Sequence, residues 1–393
     1  MNEYPDLRGK GQSVVGMDRS KTHEVLARQS GDDLVRAQFI IGLKRYLRTV
    51  AKGNETTYTR FVEPRFRAQH GRSPVTIEEV GAEMAREPYY RLWSALTRTA
   101  QDMMWDAVES TVQRDMPRML DAASRLTRKG ETRGSLSLDP TFVAPPDVLV
   151  TNIHCQPGGY MRDAGDRDIT AGALYESGGN LYASGVGNGQ RDSKAGAVIG
   201  FLEQRFPAFK PKRILDLGCS AGGASVAYAA SFPQAEVHAV DAGPGILRYA
   251  HARAEALGVE VHFHQMDVSR MKFADASFDL IVSHNLMHEI SRQTLARLFS
   301  ESHRLLCPGG VAVHQDVPIR GKQTLFERYM FSWETWYNNE PFWEVFADAD
   351  VPHLLAQAGF APNSIIETQV RRVDGPGTWY LALACKSADP QPR

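Results

Sequence analysis

The sequence predicts an α/β protein with a mostly parallel sheet in its C-terminal half and a helical region in front of it. Three observations carry this expectation. Strand-like segments recur at Arg213 to Asp216, Glu236–Asp241, Val259 to His264 and Phe278 to Ser283, with helix-patterned stretches between them, the alternation a parallel sheet needs for its crossovers. The first segment runs directly into small residues at Gly218, Ser220 and Gly222, where glycine lets the backbone turn tightly and approach a ligand closely. Residues 33–128 carry apolar positions at helical spacing.

The elements follow in order. Residues 1 to about 30 are polar and are expected to be loosely ordered. Leu34, Ala37, Ile41 and Leu43 to Leu47 form one apolar stripe, which Leu92, Leu96, Met103, Ala107 and Met119 continue, so four or five helices are expected before Arg128. Thr76 with Glu79 three residues on reads as a capping box. Residues 129–147, rich in Gly, Ser and Pro, mark an interdomain connection. This divides the chain into a helical domain over 1–135, a Gly-rich connection over 136–194 and an α/β domain over 195–393. Val148 to Ile153 reads as a short strand. Glycines then crowd the segment 156–189, as a mobile lid or a long irregular linker. Ser193 to Phe206 reads as a helix, Leu306 to Val313 as a tight turn into a fifth strand, and Ser364 to Val370 with Thr378 to Ala384 as a closing hairpin. An aromatic insert over 318–350 separates the fifth strand from that hairpin.

Composition narrows the function classes. A net charge of -1 argues against a chain that coats nucleic acid or an anionic membrane. No apolar run long enough to span a bilayer occurs, and the polar N-terminus lacks a signal-peptide core, so a cytoplasmic location is expected. The cysteines, at 155, 219, 307 and 385, have no metal-binding spacing and read as reduced thiols.

The ordered set of segments resembles the class I S-adenosylmethionine-dependent methyltransferases, most of all those acting on oxygen in small molecules. The resemblance spans roughly Ala195 to Cys385. It rests on the loop of Asp216, Gly218, Ser220 and Gly222 (with serine where the family has its middle glycine), on acids at Asp241 and Asp267, and on the Leu306-Cys-Pro-Gly-Gly310 turn. It implies a Rossmann-like seven-stranded sheet and S-adenosylmethionine as cofactor. In that frame Asp216 orients the loop and lies near the cofactor's amino group, while Asp241, followed by Ala242, takes the ribose hydroxyls. Asp267, flanked by Met266 and Val268, takes the adenine amino group, and Ser283 closes the set at the end of the fourth strand.

Methyl transfer is an in-line displacement, so the protein mainly binds, aligns and desolvates. A hydroxyl acceptor must also lose a proton, commonly to histidine. His288, a few residues past the fourth strand and followed by Glu289, is the candidate base, with His284 beside it. Glu327 or Glu334 is available to orient it. Trp333, Trp336 and Tyr337 either pack the two domains together or line a pocket for an aromatic acceptor. His262 and His264 share one strand face without an evident third ligand, and Asp316 stands alone after the fifth strand, so no metal is expected. His154 reads as structural more than functional.

The expected partner is a small-molecule acceptor, with a homodimer formed through the helical domain. Alternatives are sulfur, nitrogen or carbon methylation without a base, and methylation of RNA or protein. Residues 28–72 hold ten Lys/Arg against four Asp/Glu, which suits a solvated helix surface better than a nucleic-acid face. Ser283-His-Asn-Leu286 also departs from the Pro-Pro-aromatic segment of base-amino methyltransferases. A regulatory scaffold without activity fits poorly with three intact acids.

Overall fold

The computed structural model describes residues 22–182, 192–318, 321, 323–373 and 377–388. Most of the polar N-terminal stretch, and Gly185, Gly187 and Gly189, lie outside the described residues.

The helical region holds α1 (Gly31–Val50), α2 (Lys52–Thr57), α3 (Glu63–His70), α4 (Ile77–Met84) and α5 (Pro88–Leu126), with a π-helical turn at Tyr58–Val62. Ser30 and Asp33 close a capping box on α1. At α4 the Thr76 hydroxyl accepts from the Glu79 N–H at 3.2 Å. The Glu79 carboxylate reaches one residue further back than expected, accepting from Val75 N–H at 2.8 Å, and Arg72 holds both of its oxygens.

Next come β1 (Ser135–Ser137), α6 (Thr170–Tyr182), α7 (Ser193–Arg205), β2 (Arg213–Leu217), α8 (Gly223–Ser231) and β3 (Glu236–Asp241). They are followed by α9 (Pro244–Ala256), β4 (His262–Gln265), β5 (Phe278–His284), α10 (Arg292–Leu305) and β6 (Leu306–Asp316). The chain continues through α11 (Leu325–Tyr337), α12 (Trp343–Ala347), α13 (Val351–Gln357), β7 (Ile365–Arg371) and β8 (Thr378–Cys385). The sheet order is β1-β4-β3-β2-β5-β6-β8-β7. The first six in this order run parallel, and β8 pairs antiparallel with both β6 and β7.

The Rossmann-like sheet therefore has eight strands, one more than expected. The extra strand, β1, lies in the connection, paired to β4 through Leu136 and Phe263. Three residues are too few for a readable alternation. Its approach depends on Gly134, where a Cβ would stand 2.1 Å from the Val261 carbonyl oxygen. The buried Glu255 then accepts from the N–H groups of Arg133 and Gly134.

Two further expectations are corrected. Val148 to Ile153 is not a strand; the segment holds 3₁₀ turns at Pro146–Leu149 and Ile153–Cys155, entered through two prolines that cannot donate to a ladder. The Gly-rich segment is not one irregular loop, since 170–182 is helix α6. Its glycines serve packing. A Cβ on Gly172 would sit 2.3 Å from Tyr249 of α9, and one on Gly178 2.7 Å from Trp105 of α5.

Alternation along the strands sends Leu215, Leu217 and Ile281 to one face, under α10 and α13. It sends Ile214, Leu280 and Val282 to the other, under α7, α8 and α9. The helical region shares its core with this unit. Met104, Val108 and Val112 of α5 pack with Leu174, Tyr249 and Ala221. Val80 and Met84 of α4 pack with Phe326, Tyr329 and Trp333 of α11.

A buried charge fastens the layers. Glu176 of α6 accepts from Tyr249 Oη at 2.6 Å and Arg253 Nε at 3.1 Å, and pairs with His23 Nε2 at 3.0 Å. Burial pushes the pKa of this carboxyl up, but Arg253 and His23 more than offset it and hold it far below the usual carboxylate range. Arg253 Nη1 also donates to the Gly222 carbonyl at 3.2 Å, tying α9 to the glycine loop. Replacing Glu176 with Ala leaves Arg253 buried beside an uncompensated gap. Urea unfolding is expected to show a loss of about 3–5 kcal/mol, and a loss under 1 kcal/mol would mean the network is dispensable.

Candidate active site

Ligands of open parallel sheets bind beyond the carboxyl ends of the strands, where the order reverses. Here that point lies between β2 and β5. The loop after β2 takes left-handed conformations at Gly218 (φ 66°), Ser220 (φ 48°) and Gly222 (φ 74°). Asp241, at the end of β3, anchors it: one carboxylate oxygen accepts from Ser220 N–H at 2.9 Å and the other from Gly243 N–H at 3.0 Å. Burial pushes the Asp241 carboxyl above its ordinary range, and the backbone N–H groups oppose this.

Gly218, Ser220, Asp241, Ala242, Asp267 and Val268 line one narrow cleft of ≈ 70 Å³. Pro145, Val148, Tyr160 and Met161 of the connection wall the same cleft. An adenosyl group fits these residues: Asp241 retains lone pairs for vicinal hydroxyls, Asp267 lies one strand further on, and Met266 and Val268 supply apolar faces.

Three expected cofactor residues stand behind the cleft. Asp216 is buried and accepts from Ser225 Oγ at 2.6 Å, with burial raising its carboxyl to about 7. Gly222 lets α8 start against Phe263 and Ala250. Ser283 is fully buried, with its hydroxyl 2.9 Å from His314 Nδ1 on β6. Its side chain points away from the cleft, because successive strand residues face opposite sides.

A second cavity of ≈ 560 Å³ adjoins the cleft, and Tyr160, Tyr175 and Asn285 line both. His288 stands in its wall, 2 % exposed. The pairing of β5 with β6 puts His284 beside Gln315, so Asp316 falls level with the turn that follows β5. The Asp316 carboxylate accepts from Met287 N–H at 2.8 Å, from His288 N–H at 3.3 Å and from His288 Nδ1. That fixes the ring with Nε2 facing the cavity. Burial alone would lower the imidazole's pKa, but Asp316, Glu340 and Glu289 more than offset it and raise it to about 9.

Three side chains close around Nε2. Glu289 Oε1 and Glu340 Oε2 each lie 3.9 Å from it. His154 bridges the two acids, with Nε2 3.3 Å from Glu289 Oε1 and Nδ1 2.6 Å from Glu340 Oε1. His154 and Cys155 hold left-handed backbone (φ 56° and 59°), which costs a non-glycine residue roughly 1–3 kcal/mol. The His154 carbonyl is pinned by Gln101 Nε2 at 2.9 Å and Trp105 Nε1 at 2.6 Å, both from α5. Asn339 Nδ2 ties the Glu340 turn to the Asn152 carbonyl at 3.1 Å.

Residues 214–310 match the methyltransferase domain family. The chain contains a class I S-adenosylmethionine-dependent methyltransferase domain. It is 34% identical to a demethylmenaquinone methyltransferase of Thermus thermophilus, over 28% of this chain and 48% of that protein. It is 38% identical to a malonyl-[acyl-carrier protein] O-methyltransferase of Methylococcus capsulatus, over 25% of this chain and 35% of that protein. The chain thus spans about half or less of the length of these relatives. Among solved structures, phosphoethanolamine N-methyltransferase 2 of Haemonchus contortus with S-adenosyl-L-methionine aligns over 48% of this chain and 52% of that one, with TM-score 0.37 and 18% identity.

Several expectations for the acceptor side of the methyltransferase are corrected. Trp333 is buried against α5, its Nε1 donating to Ser94 Oγ at 2.7 Å. Trp336 (52 % exposed) and Tyr337 (38 % exposed) lie on the outer surface, and none of the three lines the cavity beside His288. From the insert, the ring that lines it is Trp343, edge-on to His288 with centroids 5.1 Å apart. His284 lines the cofactor cleft instead, held by Tyr228 Oη at 3.2 Å and Gln315 Oε1 at 3.1 Å. Neither acid of the insert that was expected to orient His288 does so. Glu327 closes the capping box of α11, and Glu334 accepts from Asn338 Nδ2 at 2.8 Å.

Asp241→Ala removes the carboxylate that shapes the loop and lines the cleft. Calorimetry is expected to show S-adenosylmethionine binding weakened by about 1–3 kcal/mol, whereas unchanged affinity would take Asp241 out of the site.

Proposed function

We propose that this chain transfers the methyl group of S-adenosylmethionine to a hydroxyl of a small molecule, and that the hydroxyl loses its proton through His288. The carrying observation is that the ≈ 560 Å³ cavity opens onto the cofactor cleft at Tyr160, Tyr175 and Asn285 with His288 in its wall. That size suits a small acceptor. Tyr160, Tyr175 and Trp343 suit a planar or aromatic one.

In the transfer the acceptor O–H bond breaks and the oxygen bonds to the methyl carbon. The carbon–sulfur bond breaks with its electron pair going to sulfur, and the proton passes into the cluster around His288. Asp316 fixes the tautomer and direction of the imidazole within that cluster, the role of an orienting acid behind a histidine.

Incubating the chain with methyl-labelled S-adenosylmethionine and pools of phenols and alcohols is expected to yield a labelled small-molecule product. Label appearing only in RNA or protein would overturn the acceptor class. His288→Ala is expected to lower kcat about 10²–10⁴-fold, with cofactor affinity nearly unchanged. A variant with normal kcat and a raised KM would mean that alignment alone suffices, as for a thiolate or amine acceptor.

A further inference from the structure

We infer that His154, His288, Glu289 and Glu340 form a binding site for one divalent first-row transition-metal ion, whose open positions face the acceptor cavity. The inference rests on the reading of His288 given above and states how that residue acts on the hydroxyl.

The geometry carries it. His154, His288 and Glu289 each bring one ligand atom within 4.8 Å of the others. His288 Nε2 stands 3.9 Å from Glu289 Oε1 and 3.9 Å from Glu340 Oε2, too far to hydrogen-bond in either case. Ligand atoms about 2.1 Å from one ion stand roughly 3.0–3.4 Å apart, so the His288–Glu289 and His288–Glu340 pairs would each close by about 0.5–0.9 Å on binding an ion. Independently, Glu340 Oε2 is buried in a residue 1 % exposed and has no hydrogen-bond partner. A buried carboxylate oxygen left unpaired is costly, and this one faces His288.

The surroundings are those of a metal centre. Asp316 holds His288 Nδ1–H, which fixes the tautomer and leaves Nε2 as the donor, the arrangement found behind metal-bound imidazoles. The His154 turn is pinned by α5 and the Glu340 turn by Asn152, so the ligands arrive already positioned. Two imidazoles with two carboxylates suit zinc, manganese, iron or cobalt better than magnesium or calcium, which prefer all-oxygen sets.

An ion there offers one or two further positions to the acceptor. A hydroxyl bound to it becomes acidic near neutral pH. Its proton passes to the second oxygen of Glu289, the more exposed of the two acids (15 % against 1 %), and the oxygen attacks the methyl carbon. His288 thereby promotes deprotonation as a ligand.

The purified full chain, freed of metal with a chelator, would be titrated with Co²⁺ and followed by visible absorption and calorimetry. The expected result is saturation at about one ion per chain, displaced competitively by Zn²⁺. His154→Ala and Glu340→Gln should each weaken Co²⁺ binding by about 100-fold or more, and Asp316→Asn by about 10–100-fold. If His154→Ala does not fold, His154→Gln must show the same loss. His264→Ala, in the separate histidine cluster on β3 and β4, should leave binding unchanged. A wild-type chain that takes up neither Co²⁺, Mn²⁺ nor Zn²⁺ overturns the site, and so does an uptake that only His264→Ala abolishes. A metal-free chain that still methylates a hydroxyl at full rate overturns the metal's role while leaving the methyl-transfer reading intact. One bound ion without transfer to any small molecule does the reverse.

Discussion

Asp316 is the constraint on which the acceptor side of this protein depends. Its carboxylate is fully buried at the end of β6, where an unpaired charge would be prohibitive. It accepts from four donors: the N–H groups of Met287, His288 and Val317, and the Nδ1 of His288. The turn after β5 is thereby stitched to the end of β6 by side-chain chemistry once strand pairing has stopped. Without that stitch neither the tautomer nor the direction of His288 would be defined.

The rest of the cluster shows why helices were added to an α/β sheet. The sheet alone supplies the cofactor cleft, His288, Glu289 and Asp316. His154 comes from a turn of the connection and Glu340 from the turn between α11 and α12, so each needs outside support to hold it. Helix α5 does this for His154, through Gln101 and Trp105 on its carbonyl. The same helix receives the insert, since Trp333 donates to Ser94. The Glu176–Arg253 network holds α6, which packs against α5, to α9 and through Gly222 to the loop that lines the cleft. Cofactor cleft and acceptor cavity are therefore positioned by one continuous packing.

What was legible in the sequence follows the range of the interactions concerned. The glycine loop, Asp241 and Asp267 are set by consecutive residues on a strand and the turn after it, so local pattern located them. His288 was legible because it follows β5 closely. Asp316 is 28 residues from it, yet adjacent parallel strands put it there; counting both strands to their C-terminal ends could have paired them. His154 and Glu340 left no such trace. They meet through two left-handed turns, at His154–Cys155 and at Asn339; asparagine and histidine favour that conformation, but nothing local says that the two turns face each other. Burial misled for the aromatic insert. Its spacing says one helical face is covered, but not whether helix or ligand covers it, and α4 and α5 took Trp333. The strand expected at Val148 failed because the segment is entered through Pro145 and Pro146, which cannot donate to a ladder.

The short link between the two cavities bears on how the reaction is organised. Tyr160 touches both: it lines the cleft and the cavity, and its hydroxyl donates to Glu289 at 3.3 Å. Glu289 is thus joined at once to His154 and to the residue that walls the cofactor. Burial and the nearby acids keep the Tyr160 hydroxyl protonated, so it remains a donor to Glu289. The imidazoles of His154 and His288 face the same carboxylate group. A change in charge at the acceptor is therefore felt one hydrogen bond from the cofactor cleft. The acid–histidine cluster and the methyl-donor site are neighbours in the same low-dielectric space, where a fixed charge acts more strongly than it would in water.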